Sequence, residues 1–143
     1  MKDEANRRRI LIIDDAVEIP DLVKLILNRA RPNDEVTIVA SAREGIIAAE
    51  QEQPDLIIVR IFMREMDGYE VCRQLRSILV LQNVPVLLQG AMDPVRVYPS
   101  AKQVGATGYM EEPFGPREFL AGYDAVLHGE TYYPPLPEEN ESR

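Results

Sequence analysis

Leu56-Ile57-Ile58-Val59 is an apolar run with no polar interruption, closed by a charged residue, Arg60. A strand with one wet face alternates polar and apolar side chains. An unbroken run fits a strand covered on both faces, as in a parallel sheet. Parallel strands need long crossovers, which are usually helical. A chain built around this run is therefore expected to alternate strands with helices. Arg60 then stands at the carboxyl end of its strand, the edge at which open α/β sheets bind ligands. Asp67-Gly68 supplies the turn that follows.

The rest of the chain supplies partners for that strand. Residues 10–13 form an apolar strand ended by Asp14 and Asp15, two carboxylates that repel unless a cation lies beside them. Ile19-Pro20-Asp21 starts a helix, with proline at the first position and aspartate in the first turn. Ile19, Leu22, Val23, Ile26, Leu27 and Ala30 give it one apolar stripe, and Arg31-Pro32 stops it. Residues 35–40 form the next strand. Ser41-Ala42-Arg43-Glu44 matches a capping box for a helix that runs to about Gln53. Asp67-Gly68 opens a third helix with Val71, Cys72, Leu75, Ile78 and Leu79 on one face, Cys72 being a small core residue.

Residues 84–88 form the fourth strand, which ends at Gln89-Gly90-Ala91. Asp93-Pro94 starts a helix, but a proline in a helix interior costs about 3 kcal/mol. The fourth helix is therefore expected to be short or kinked, with its regular part after Pro99. Tyr109-Met110 belongs to a short fifth strand. Gly115-Pro116 begins the fifth helix, in which Phe119, Leu120, Tyr123, Val126 and Leu127 face inward and Gly129 caps the end. His128 suits the helix dipole there and, with no second histidine, is not expected to bind metal. Five strands alternating with five helices imply a parallel sheet with right-handed crossovers. The strand ends then bring Asp14, Asp15, Arg60, Gly90 and Glu112 to one edge.

A length of 143 residues suggests one domain with one sizeable core. Residues 1–8 are expected to be a tail, 9–129 the domain, and 130–143 an acidic, proline-containing tail or linker. The run at residues 132–137 is most simply an extended linker, and would also suit a proline groove. The net charge of −8 argues against direct nucleic-acid binding. The basic run Arg7-Arg8-Arg9 is expected to be a solvated flank of the first strand. One cysteine excludes an intrachain disulfide and agrees with a reducing compartment. No apolar run approaches the roughly 20 residues that cross a bilayer, and the amino terminus has no apolar signal core. A cytoplasmic protein without membrane contact is expected.

These motifs, in this order and spacing, resemble the receiver domain of bacterial response regulators over about residues 9–128. Ile10-Leu11-Ile12-Ile13-Asp14-Asp15 looks like the family's first strand and acidic pair. Residues 63–68 resemble the loop after its phosphoacceptor. Gly105-Ala106 and Tyr109-Met110-Glu111-Glu112-Pro113-Phe114 resemble its last strand and proline turn. The resemblance implies an α/β, flavodoxin-like (βα)5 doubly wound parallel sheet with strand order 2-1-3-4-5. It also implies a cis bond at Glu112-Pro113.

In that family an aspartate after strand three accepts a phosphoryl group, the acidic pair holds magnesium, and a Ser/Thr and a lysine contact the phosphate. Here the acidic pair, Asp14 and Asp15, is kept. The acceptor position carries Arg60, the hydroxyl position Gly90 and the lysine position Glu112. The site is therefore expected to be a degenerate phosphorylation site. A guanidinium has no nucleophilic oxygen and stays protonated. It also opposes a divalent cation that needs oxygen ligands at about 2.1 Å. Neither metal nor cofactor is expected. Acid and base are exchanged between strands three and five, which keeps the formal charge of the site. Arg60 is expected to pair with Asp14 or Asp15, and with Glu112, standing in for the metal. The opposing reading is an Arg60 that snorkels to solvent over a dead site.

The resemblance implies a non-enzymatic pseudo-receiver that signals without phosphorylation by contact with a protein partner, an unidentified signalling or effector protein. The expected surface is helix four, strand five and helix five, with Tyr98, Lys102, Tyr109, Arg117 and Tyr123, and a homodimer through this face is one form of that contact. Tyr109 matches the family's switch aromatic, but Gly90 has no hydroxyl to couple to it. Three other readings stay open: a small-ligand module with a hollow beside Gly90, a receiver with its acceptor moved to Asp67 or Asp93, and the amino-terminal domain of a longer transcriptional regulator.

Overall fold

The computed structural model describes residues 7–136. Five strands, β1 (Arg9–Ile13), β2 (Glu35–Val39), β3 (Leu56–Arg60), β4 (Val86–Gly90) and β5 (Gly108–Glu111), form one sheet in the order β2-β1-β3-β4-β5. Every pairing is parallel. The helices α1 (Ile19–Ala30), α2 (Ala42–Glu52), α3 (Gly68–Arg76), α4 (Pro94–Gln103) and α5 (Pro116–Leu127) cross between them, so the architecture is flavodoxin-like α/β. Successive side chains of a strand point to opposite faces, and the core divides accordingly. Ile10, Ile12, Leu56, Ile58, Leu87 and Met110 pack with α1 and α5. Leu11, Ile13, Ile57, Val59, Leu88 and Tyr109 pack with α2, α3 and α4. The unbroken apolar run of β3 is thus buried on both sides, at 0 to 2 % exposure from Leu56 through Val59.

The structure corrects four expectations. Helix α4 is not confined to the residues after Pro99. It starts at Pro94, where the Asp93 carboxylate accepts the Val95 N–H, and runs through Pro99. The missing N–H of Pro99 leaves the carbonyl four residues back, that of Val95, without its helical donor. Val95 is exposed, so solvent can serve there. Helix α3 ends at Arg76, and Leu79 is exposed rather than on its buried face. A short 3-10 turn, Leu79–Leu81, inverts the chain and brings Leu81 into the core instead.

Third, part of the expected tail or linker at residues 130–143 is docked on the domain rather than simply extended from it. Tyr132 forms a parallel bridge with Gly108, and Tyr133 packs against the core. Fourth, Tyr109 and Tyr123 are almost wholly buried, at 1 % and 0 %, and present nothing to a partner. Tyr123 is one turn from Phe119 on the inner stripe of α5, and Tyr109 points from β5 toward α4. Residues 1–6 and 137–143 lie outside the described residues, and with them most of the expected amino-terminal tail and of the acidic carboxyl-terminal stretch.

The loop from β3 to α3 returns tightly onto the strand it leaves. Gly68 N–H donates to the Ile61 carbonyl at 2.7 Å. A Cβ on Gly68 would lie 2.5 Å from the carbonyl oxygen of Arg60 and 2.9 Å from Ile61 Cα. Both contacts are to backbone, which cannot swing away as a side chain can. Overpacking of this kind costs typically 1–3 kcal/mol. Gly68→Ala is therefore expected to lower unfolding stability by about 3 kcal/mol in urea, although alanine is the better helix former by about 1 kcal/mol. A neutral or stabilising substitution would show that the loop has room to relax.

Candidate functional site

The parallel sheet places the carboxyl ends of its strands at one edge, and register decides which side chains meet there. Arg60 is opposite Gln89 across β3 and β4, and Gly90 is opposite Glu111 across β4 and β5. Asp14, the residue after β1, is held by its N–H on the Val39 carbonyl at 3.1 Å. Glu112, the residue after β5, is held by its N–H on the Gly90 carbonyl at 2.7 Å. These backbone bonds aim Asp14, Arg60 and Glu112 at a common point.

Arg60 joins the two acids. Its Nε donates to Asp14 Oδ1 at 2.7 Å and its Nη2 donates to Glu112 Oε2 at 2.7 Å. The side chains are largely withdrawn from water, with exposures of 13 % for Arg60, 2 % for Asp14 and 13 % for Glu112. Asp14 Oδ1 also accepts the Ala16 N–H at 2.8 Å, and Glu112 Oε2 accepts from Gln89 Nε2 at 3.2 Å. Asp15 stands apart from Arg60: its Oδ2 accepts the Arg64 N–H at 3.0 Å and so ties the β3–α3 loop to β1. Glu112-Pro113 is cis.

Burial pushes the Asp14 carboxyl above its ordinary value, against the pull of the Ala16 N–H and of Arg60. Burial also works against the Arg60 charge, but Asp14 and then Glu112 outweigh it and hold the guanidinium above its ordinary value. The arrangement is thus a charge cluster whose anions need their cation.

Gln89, at the end of β4, also belongs to the site. It is 2 % exposed, and its Oε1 has no hydrogen-bond partner among the described residues. Gly90 opens no hollow of its own, since a Cβ there would meet Ile61 Cβ at an ordinary 3.7 Å. An apolar hollow of about 310 Å³ does lie beside Glu112, lined by Ile19, Leu22, Ala91, Pro113 and Phe114. Glu65 went unnoticed in the sequence. Its carboxylate accepts from the Ser41 hydroxyl at 2.9 Å and the Arg43 N–H at 3.3 Å, so it, rather than Glu44, completes the cap of α2. The signal was a carboxylate in a loop, which says nothing of what it reaches.

The other candidates occupy defined places. Tyr109 Oη lies 2.9 Å from the Gly90 carbonyl and 2.7 Å from that of Met92. Burial raises its phenol far above the ordinary range. Tyr98 donates to the Pro134 carbonyl at 2.6 Å. Lys102 and Arg117 are exposed, and the Lys102 ammonium lies over the rings of Tyr98 and Tyr133. Asp67 and Asp93 cap α3 and α4. His128 Nδ1 lies 2.6 Å from the Asp124 carbonyl at the end of α5. Among the described residues no group of three or more His, Cys, Asp or Glu is placed to hold a metal ion, and no helix is long and apolar enough to cross a membrane.

Residues 10–124 match the model of the response regulator receiver domain. The chain belongs to this family. It is 34 % identical over 120 residues to the alkaline phosphatase synthesis transcriptional regulatory protein PhoP of Bacillus subtilis, covering 84 % of this chain and 48 % of the relative. It is 33 % identical over 133 residues to the DNA-binding dual master transcriptional regulator RpaA of Synechocystis, covering 93 % and 54 %. The chain thus spans about half the length of the curated relatives it matches. Among solved structures, chemotaxis protein CheY4 of Vibrio cholerae superposes with a TM-score of 0.78 at 28 % identity, over 84 % of this chain and 98 % of that one. Receiver domains serve signal transduction, and this receiver has an ion-paired arginine at the end of β3.

Breaking a buried pair by removing one partner costs about 3–5 kcal/mol, because the other charge is left stranded. Arg60→Ala is expected to lower unfolding stability by about 3 kcal/mol, and Arg60→Met with Asp14→Asn by less. A neutral Arg60→Ala would show that Arg60 is a bystander. The folded state already holds the Asp14 proton more tightly than the unfolded chain does. This carboxyl therefore adds stability as the pH falls through its folded midpoint, levelling off below the ordinary carboxylate value. In Arg60→Met the anion loses its partner, so the Asp14 ¹³Cγ titration is expected to move to still higher pH. A midpoint moving down would contradict the assigned pairing.

Proposed function

We propose that this chain is a pseudo-receiver, a signalling module that works without phosphorylation and through contact with a protein partner. The observation that carries this reading is Arg60 at the carboxyl end of β3, bonded to Asp14 and Glu112. The acceptor of a receiver attacks phosphorus with a carboxylate oxygen, and a guanidinium has none. Nor does the donor set fit a divalent cation. Asp14 already accepts from Arg60 and Ala16, Asp15 accepts from a backbone N–H, and a permanent positive charge lies between Asp14 and Glu112. Asp67 and Asp93 are engaged as helix caps.

Without a reaction to switch it, the module has one resting geometry, and its output is the surface it presents. The helix α4, strand β5 and helix α5 face is the surface in this reading, with Lys102 and Arg117 exposed on it. A homodimer there has to accommodate the segment around Tyr132, which already bridges to Gly108 of β5. The printed names of the curated relatives describe transcriptional regulators, and a role in transcriptional control as part of a longer regulator is the second reading.

The chemistry is tested directly. Incubation with acetyl phosphate and magnesium is expected to leave the intact mass unchanged, and beryllofluoride with magnesium is expected to give no change in tyrosine fluorescence. Gain of one phosphoryl group, mapped to any carboxylate, would overturn the reading.

A further inference from the structure

The free edge of β5 is occupied. Residues 131–136 leave α5 through Gly129, whose φ is +87°, and return along that edge. Tyr132 N–H donates to the Thr107 carbonyl at 3.0 Å, and Tyr109 N–H donates to the Tyr132 carbonyl at 2.9 Å. This is strand addition, the mode by which extended peptides join a sheet edge, performed by the chain on itself.

The receiving surface is shaped for what sits on it. A Cβ on Gly108 would lie 2.6 Å from Tyr132 O, and one on Gly122 would lie 2.9 Å from Tyr132 Cε2 and 2.6 Å from Met110 Cε. Two missing side chains, one on β5 and one on α5, therefore make the room for this residue. Tyr133 stands edge-on to Tyr98, with ring centroids 5.0 Å apart at 82°. Its hydroxyl donates to the Ala106 carbonyl at 2.7 Å, and Lys102 Nζ lies 4.9 Å from its ring centroid. The Tyr98 hydroxyl closes the row on the carbonyl of Pro134. Each successive residue of the segment thus has its own fitting: a glycine-lined seat, an aromatic and cationic wall, and a hydroxyl donor.

We propose that the β5 edge, with Gly108, Gly122, Tyr98 and Lys102, is a recognition site for an extended peptide carrying two aromatic residues followed by proline, and that residues 131–136 occupy it in cis. The segment is a tethered competitor. A partner bearing the same chemistry gains the site only when the tether yields it. This inference does not depend on the state of the Arg60 cluster.

The test uses the whole chain and a labelled synthetic peptide of residues 129–136. In one variant the cis segment carries Tyr132→Pro and Tyr133→Ser, which remove the ladder N–H and the second ring. Anisotropy is expected to show peptide binding to this variant at least tenfold tighter than to the parent, and none by a peptide with the same two substitutions. A folded variant that ignores the peptide, or a parent that binds it equally well, would overturn the proposal. Should the variant not fold, hydrogen exchange on the unmodified chain decides. The Tyr109 and Tyr132 amides are expected to exchange at least tenfold faster than that of Ile58, through opening of the segment alone. Equal rates for all three would mean that the segment opens only with the whole fold, and the site would not be available to any competitor.

Discussion

The charge on Arg60 is the constraint around which the functional edge of this protein is arranged. A parallel sheet collects the ends of its strands on one side, and here two acids largely withdrawn from water, Asp14 and Glu112, stand just past those ends. Left alone they would repel in a setting where water is largely excluded. One guanidinium reaches Asp14 at the end of β1 through Nε and Glu112 at the end of β5 through Nη2. It thereby spans the sheet from one neighbour of β3 to the strand beyond the other. Taking such charges out of water cancels much of the attraction between them, so the cluster is better understood as fixing geometry than as adding much stability.

The residues around the cluster are held in place as well. Gly90 carries no side chain that could follow a change at Arg60. Tyr109 is anchored with its hydroxyl between the Gly90 carbonyl at the end of β4 and the Met92 carbonyl of the β4–α4 connection, and is almost wholly buried. The loop after β3 is held as well, by Asp15 on the Arg64 N–H and by Glu65 on the cap of α2.

What the sequence made legible and what it hid follow from the range of the interactions. Strand β3 was legible because burial on both faces leaves an unbroken run, and the α1 start because Pro20 and Asp21 act within one turn. The partners of Arg60 were legible as a set, since topology alone brings the strand ends together. The choice of Asp14 over Asp15 was not, because it depends on side-chain direction within a single residue. The local cost of Pro99 does not shorten α4, because the Val95 carbonyl it frees is open to solvent. The helical period that would bury Leu79 ends at Arg76, before the 3-10 turn begins. Gln89 and Glu65 act through contacts made across the fold, which no local pattern records.

Residues 131–136 were hidden for a different reason: their prolines and neighbouring acids match an unfolded segment in composition, while the two tyrosines carry the contacts. Four hydrogen bonds hold the segment, two from the backbone and two from tyrosine hydroxyls. At about 1 kcal/mol each, they stand against about 1–2 kcal/mol for every residue ordered, a cost that Pro134 and Pro135 lower by restricting the free chain. Hydrogen bonding alone therefore does not hold the segment down. The difference is made by the rings of Tyr132 and Tyr133, by the glycines that admit them, and by the Lys102 ammonium over two aromatic faces. A contact balanced in this way can be exchanged for one of like chemistry without disturbing the sheet beneath it.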